Sequence, residues 1–256
     1  MTKRLFITDL DGTALGGYEP YDRLPEKFCA LLDRLVDDGW EWALNTTWDP
    51  EGQWKMVCQS PVRSCPTFLI GEYGRSFVRV KEDRTLATVE PYCSIQKKRL
   101  DDFCIRKMFP VLNRAVALCT PNRIFFYGHM LHIICRPGTD TDSLRKLCRE
   151  TADDSEWIMT LKENVFVARP SFLNKALPMY YLRNSLGYAP ENLVTAGDNT
   201  PDLDMMSPEF SAVSLCPGNA VENVKQFVLE HGGIVGTQPY SDGVIEAFHL
   251  FEKRFM

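Results

Sequence analysis

Short runs of consecutive apolar residues alternate along this chain with segments whose apolar residues recur every three or four positions. Leu5-Phe6-Ile7-Thr8 reads as a buried strand that ends at a turn, Asp9 to Thr13, followed by a Gly- and Pro-containing segment, Gly16 to Pro20. The next period predicts a helix near Pro25 to Asp38, with Phe28, Leu31, Leu32 and Leu35 on one face and Gly39 as its stop. Glu41 to Thr46 and Thr67 to Ile70 read as a second and a third strand. Strand-length runs alternating with amphipathic helices predict an α/β protein with a largely parallel sheet.

After residue 74 the pattern changes. Arg75 to Val80 and Thr85 to Glu90 read as strands joined by the charged turn Lys81-Glu82-Asp83-Arg84, with a helical stretch from Ser94 to Ala117 behind them. Arg123 to Tyr127 and Leu131 to Cys135 predict a hairpin around Gly128-His129-Met130. A helix near Asp140 to Thr151 and two short strands, Trp157 to Leu161 and Val165 to Ala168, complete the stretch. Paired strands followed by a helix, occurring twice, predict a second small α/β domain at 75–170, inserted into a first domain made of 1–74 and 171–256. The alternating pattern resumes with a helix from Asn174 to Leu186, a strand from Leu193 to Ala196 and a loop from Gly197 to Asp202. A strand at Ser211 to Leu215 and helices at Ala220 to Glu230 and Gly243 to Arg254 follow.

Composition narrows the function classes. With 256 residues, 45% of them hydrophobic and 25% charged, the chain has the balance of a soluble globular protein with a sizeable core. A net charge of −5 argues against a nucleic-acid or anionic-membrane partner, and Lys97-Lys98-Arg99 reads as a solvated helix face. No stretch reaches the roughly 20 apolar residues of a membrane span, and the N-terminal apolar run is too short for a signal peptide. Nine scattered cysteines without a Cys-x-x-Cys spacing read as reduced thiols, so a cytoplasmic location is expected.

The candidate chemistry lies where strands end. A strand running into an acidic turn occurs twice: at Phe6-Ile7-Thr8-Asp9-Leu10-Asp11-Gly12-Thr13 and at Val194-Thr195-Ala196-Gly197-Asp198-Asn199-Thr200-Pro201-Asp202. In open parallel sheets, ligands bind beyond the carboxyl ends of the strands. Several carboxylates gathered there repel one another and call for a cation, and hard oxygen ligands that leave room for substrate phosphate suit magnesium. Thr46 ends the second strand and offers a hydroxyl at the same edge, while Lys175 offers an ammonium to a phosphate. Taken singly, these are ordinary turn, strand-end and helix residues; their order along the chain and their strand-end setting make the case. An aspartate, a metal and cationic donors are what phosphoryl transfer through an aspartyl-phosphate requires.

These residues resemble the motifs of the haloacid dehalogenase (HAD) hydrolases, and the resemblance covers essentially the whole chain. Asp9-Leu10-Asp11-Gly12-Thr13 is similar to the first motif, Asp-x-Asp-Gly-Thr. Thr46 in Ala43-Leu44-Asn45-Thr46 is similar to the second, Lys175 in Asn174-Lys175-Ala176-Leu177 to the third, and Gly197 to Asp202 to the fourth. The position of the insert resembles the subclass with a large α/β cap, the group of Cof-like and sucrose-phosphate phosphatase-like enzymes. Gly218-Asn219-Ala220 and Ser241-Asp242-Gly243-Val244 are similar to that subclass as well.

The resemblance implies a HAD-like Rossmannoid parallel-sheet core with an inserted α/β cap domain. It implies a magnesium-dependent phosphatase acting on a small phosphomonoester, by subclass a sugar or polyol phosphate. Asp9 would be nucleophile and metal ligand. Asp11 would be general acid and then base, with its backbone carbonyl on the metal. Thr46 and Lys175 would hold the phosphoryl group, and Asp198 with Asp202 would complete the metal site. Two departures stand out: Thr46-Thr47-Trp48 replaces the usual Thr-Gly-Arg, and Pro201 replaces the asparagine of the fourth motif. Trp48 is therefore expected to shape the pocket. In the cap, Arg123, His129 and His132 are the candidate contacts to the leaving group. Two rival readings remain open: a phosphomutase of the phosphomannomutase type, and a non-catalytic binding protein with the same fold. The oligomeric state is not legible.

Overall fold

The computed structural model describes residues 3–17, 22–119, 122–136, 138 and 140–255, so the Gly16–Pro20 segment lies partly outside it. The chain divides into two compact units, one of Met1–Glu90 with Asn174–Met256, the other of Pro91–Leu173. In chain order, the first unit begins with β1 (Arg4–Thr8), α1 (Glu26–Asp37), β2 (Trp40–Asn45), α2 (Pro50–Gln59), β3 (Phe68–Gly71), β4 (Ser76–Val80) and β5 (Leu86–Thr88). The second unit holds α3 (Tyr92–Phe103), a π-helical turn (Cys104–Met108), α4 (Phe109–Cys119), β6 (Arg123–Phe126), β7 (Leu131–Ile134), α5 (Thr141–Thr151), β8 (Trp157–Lys162) and β9 (Val165–Pro170). The first unit then resumes with α6 (Leu177–Leu186), β10 (Leu193–Ala196), α7 (Leu203–Met206), β11 (Val213–Cys216), α8 (Glu222–Glu230), β12 (Ile234–Val235) and α9 (Tyr240–Phe255).

Among the described residues, the sheet of the first unit runs β12-β11-β10-β1-β2-β3-β4-β5, parallel from β12 through β3 and antiparallel beyond. β1 lies in the middle, between β2 and the late strand β10. Leu5, Phe6 and Ile7 are all fully buried, which is why β1 is a continuous apolar run and not an alternating one. Phe28, Leu31, Leu32 and Leu35 of α1 are buried as their spacing predicts, and Gly39, at φ 78°, turns the chain into β2. Phe248 of α9 packs edge-on against Phe6, with ring centroids 5.1 Å apart. Because the chain leaves β1 toward β2 on one side and returns to pair with β1 through β10 on the other, the order of strands reverses here. That is the position at which open α/β sheets bind ligands.

Two features differ from the sequence reading. The strands at 76–80 and 86–88, assigned to the insert, extend the core sheet: Ile70 pairs with Phe77, and Val78 with Thr88. Phe77 is buried against Phe68 at 5.2 Å. A hairpin signal specifies pairing between its own strands and carries no information on which sheet it joins, so the apparent repeat of strand-strand-helix is not a repeat. The second feature is α2, absent from the sequence reading although Asp49 caps it and Pro50 opens it, a recognisable start signal.

The second unit is a four-stranded antiparallel sheet, β6-β7-β9-β8, with the expected β6–β7 hairpin. Leu131, Ile133, Phe166 and Ala168 are fully buried on one of its faces. Leu144 and Leu147 of α5 are buried in the same unit.

Candidate active site

Register places the two acidic turns side by side. Thr8 of β1 pairs with Ala196 of β10, and the ladder continues one step as the Asp9 amide donates to the Ala196 carbonyl at 3.0 Å. Asp9 and Asp198, 189 positions apart in sequence, therefore leave adjacent strand ends. Carboxylate oxygens of Asp9, Asp198 and Asp202 all lie within 4.8 Å of one another, and all three residues are buried. The Lys175 ammonium donates to Asp9 Oδ1 and to Asp202 Oδ1, both at 2.6 Å. Lys175 sits just before α6, not within it, and its carbonyl accepts from the buried Asn45 amide at 3.1 Å.

The fourth-motif loop is organised around Asp202. Its Oδ2 accepts from the amides of Asp198 and Asn199, each at 2.9 Å. Asn199 in turn caps the short turn Thr200–Asp202. Pro201 occupies that first turn, where a missing N–H costs nothing, so its departure from the motif leaves the loop closed. Asp198 Oδ1 accepts from the Thr13 hydroxyl at 2.7 Å, tying the fourth-motif loop to the first.

Gly12 has φ 86°, and a Cβ there would lie 2.3 Å from Asp198 Oδ2. Gly12→Ala is thus expected to destabilise by at least about 1–2 kcal/mol from backbone strain alone. It should also displace the Asp198 carboxylate. Thermal denaturation with and without magnesium checks this: both the melting temperature and the cation-induced rise should fall, and an unchanged rise would contradict it.

Burial pushes the Asp9 carboxyl upward against the pull of Lys175, with the Asp202 charge adding to the rise. Burial works against the Lys175 ammonium, but Asp9 and Asp202 outweigh it and hold its pKa above the ordinary value. Burial also carries Asp198 up to about 6, although the Thr13 hydroxyl pulls the other way. Three buried carboxylates share one ammonium, which leaves two formal negative charges in excess. A divalent cation fits that deficit and would favour the ionised form of each carboxylate; the all-oxygen donor set suits magnesium.

Thr46 follows β2, and its amide donates to the Ile70 carbonyl at 3.1 Å. Its hydroxyl is buried and has no hydrogen-bond partner among the described residues. Asp11 is exposed, and its Oδ2 accepts from the Trp48 indole N–H at 2.7 Å. Arg123, His129 and His132 belong to the other unit. Arg123 is exposed on β6 opposite Ile134. His129 is buried, with Nδ1 3.1 Å from the Tyr127 carbonyl. His132 stands edge-on to Tyr127 at 5.1 Å, its Nε2 buried without a partner among the described residues, and burial lowers its pKa.

Sequence reasoning assigned no role to Thr13, Asn45 or Asn219. The Asn219 amide donates to the Gly12 carbonyl at 2.8 Å and its oxygen accepts from the Tyr240 amide at 2.6 Å. The Val221 amide donates to the Asp198 carbonyl at 2.9 Å, so the 217–221 loop fastens both acidic turns. The Gly218-Asn219-Ala220 motif was the signal for this.

A family model for haloacid dehalogenase-like hydrolases matches residues 126–248, a span that holds Lys175, Asp198 and Asp202. No curated protein sequence matches the chain. Solved structures with a similar fold include a sucrose-phosphatase from Synechocystis in complex with sucrose and phosphate. It is 15% identical, with a TM-score of 0.67 over 98% of this chain and 99% of that one. A haloacid dehalogenase-like hydrolase from Bacillus subtilis is 14% identical, with a TM-score of 0.67 over 100% and 93%. A Thermoplasma acidophilum protein is 15% identical, with a TM-score of 0.65 over 98% and 99%. At such identities these likenesses speak for the fold. The chain thus shares the fold of these solved structures, and its residues 126–248 are similar to the haloacid dehalogenase-like hydrolases.

Proposed function

We propose that this protein is a magnesium-dependent phosphatase that hydrolyses a small phosphomonoester through an aspartyl-phosphate on Asp9. One observation carries the reading: carboxylates from two distant loops, Asp9 on one and Asp198 and Asp202 on the other, meet in a buried cluster with the Lys175 ammonium. Asp9, Asp198 and Asp202, with the Asp11 carbonyl, would hold magnesium, whose charge offsets that of the carboxylates and the phosphoryl oxygens. A sugar or polyol phosphate as substrate rests on the motif resemblance, with the fold likeness to a sucrose-phosphatase in keeping with it. The inserted unit acts as the cap in this proposal and carries specificity through Arg123, His129 and His132.

In the first half-reaction an Asp9 carboxylate oxygen forms a bond to phosphorus and the bond from phosphorus to the alcohol oxygen breaks. The electron pair stays on the departing oxygen, which takes a proton from Asp11. In the second half-reaction a water oxygen attacks phosphorus while Asp11 takes its proton. The bond to Asp9 then breaks with its electron pair returning to the carboxylate. The Lys175 ammonium and the Thr46 hydroxyl supply the donors for the phosphoryl oxygens.

The test is a panel of phosphorylated small molecules, with and without magnesium. Release of inorganic phosphate from at least one of them, abolished by chelation, is the expected result. An isomerised sugar phosphate with no free phosphate would establish a mutase instead, and no turnover of any member would sink both enzymatic readings. No helix among the described residues is long and apolar enough to cross a membrane.

A further inference from the structure

The one hydrogen bond that the described residues give the Asp11 carboxylate comes from a side chain with no assigned catalytic part. The Trp48 indole N–H donates to Asp11 Oδ2 at 2.7 Å across 37 positions of sequence. The indole is held from behind. The Trp48 carbonyl accepts from the Gln53 amide at 2.8 Å, and that amide, fully buried, also donates to the Ile70 carbonyl at 3.0 Å. A Cβ on Gly71 would lie 2.3 Å from the Trp48 carbonyl oxygen, so β3 passes as close as a side-chain-free backbone allows. The next residue, Asp49, caps α2 through the Gly52 amide at 2.9 Å. Trp48 also packs, half-buried, on the hydrophobic core. Asp11 has no such support, since its side chain is exposed on a turn.

We propose that Trp48 is a positioning residue for Asp11, fixing which carboxyl oxygen exchanges the proton with the substrate oxygen; this rests on the phosphatase reading above. An indole N–H donates and cannot accept. Oδ2 is therefore committed as an acceptor, and the proton that Asp11 delivers to the leaving alcohol is carried on Oδ1. The same bond stops rotation of an otherwise free carboxyl group, so Oδ1 keeps one orientation through both half-reactions. Misplacement of a reacting group by about 1 Å costs on the order of 100-fold in rate.

Trp48→Phe keeps the ring and removes the donor. The consequence depends on the leaving group. An alkoxide needs its proton, whereas 4-nitrophenolate departs without one. With the best alkyl phosphate of the panel, kcat should fall about 10- to 100-fold at nearly unchanged KM. With 4-nitrophenyl phosphate the single-turnover burst of 4-nitrophenolate, which reports the first half-reaction alone, should slow by less than about 3-fold, which also shows that the variant is folded. In an Asp11→Asn background, Trp48→Phe should add nothing further on the alkyl ester, because the two residues act as one unit. A 4-nitrophenolate burst slowed as much as turnover of the alkyl ester, no loss on either ester, or additive losses in the double variant would each overturn the proposal while leaving the phosphatase reading intact. An inactive wild-type enzyme would overturn both.

Discussion

Asp9→Asn should abolish phosphate release, by about 10⁴-fold or more, and leave the fold in place. The amide matches the carboxylate in shape, and Lys175 keeps its second partner, Asp202, at 2.6 Å. Removing one buried negative charge from a cluster with an excess of them relieves repulsion, so no loss of melting temperature is expected. What disappears is the atom that bonds to phosphorus, since a neutral amide oxygen is a poor nucleophile. Phosphate release, circular dichroism and trapping of the acid-stable but alkali-labile phosphoenzyme together check this. Release at the wild-type rate by a folded variant would remove Asp9 from the reaction and with it the mechanism proposed above.

Lys175→Met should be the most damaging change to stability. The ammonium is buried between two carboxylates at 2.6 Å each, and removing it strands both. Breaking a buried ion pair from one side costs about 3–5 kcal/mol. For a chain of this size that is a drop in melting temperature on the order of 10 °C.

The deficit has a definite dependence on pH. Lys175 has a raised pKa, so its contribution is complete below the ordinary lysine value and fades only as the pH climbs through the raised one; between pH 5 and 8 it is constant. Asp9 is raised by burial, and loss of Lys175 removes the opposing pull. A carboxyl group with a raised folded-state pKa favours the fold below its unfolded value of about 4 and penalises it increasingly as pH rises through the folded value. The variant should therefore lie nearest to wild type in acid and fall away toward neutrality, and magnesium should recover part of the loss. Melting curves across pH 5 to 8 measure this, and a deficit independent of pH would show that Lys175 does not compensate Asp9. Turnover should be lost as well, because the same ammonium serves the phosphoryl group in the proposed mechanism.

What the amino-acid sequence determined by itself is local in origin. A buried strand running into Asp9-Leu10-Asp11-Gly12-Thr13, and a second running into Gly197-Asp198, were legible because an apolar run and an acidic, Gly-containing turn are properties of a few neighbouring residues. The α1 face was legible for the same reason, through a 3.6-residue period. The side on which ligands should bind followed from parallel strands, whose carboxyl ends all open at one edge.

Tertiary structure alone decided what depends on which strands become neighbours. The pairing of Thr8 with Ala196 turned two separate acidic loops into one buried cluster. Strand β4 joined the core sheet through backbone hydrogen bonds to β3, and β5 through bonds to β4, to which side-chain pattern is blind. The bridging of Lys175, the buried Thr46 hydroxyl and the Trp48–Asp11 bond likewise arise where β1, β2 and β10 end side by side. A hydrogen bond across tens or hundreds of residues is decided by the closure of the fold, and no local pattern in the chain encodes its partner.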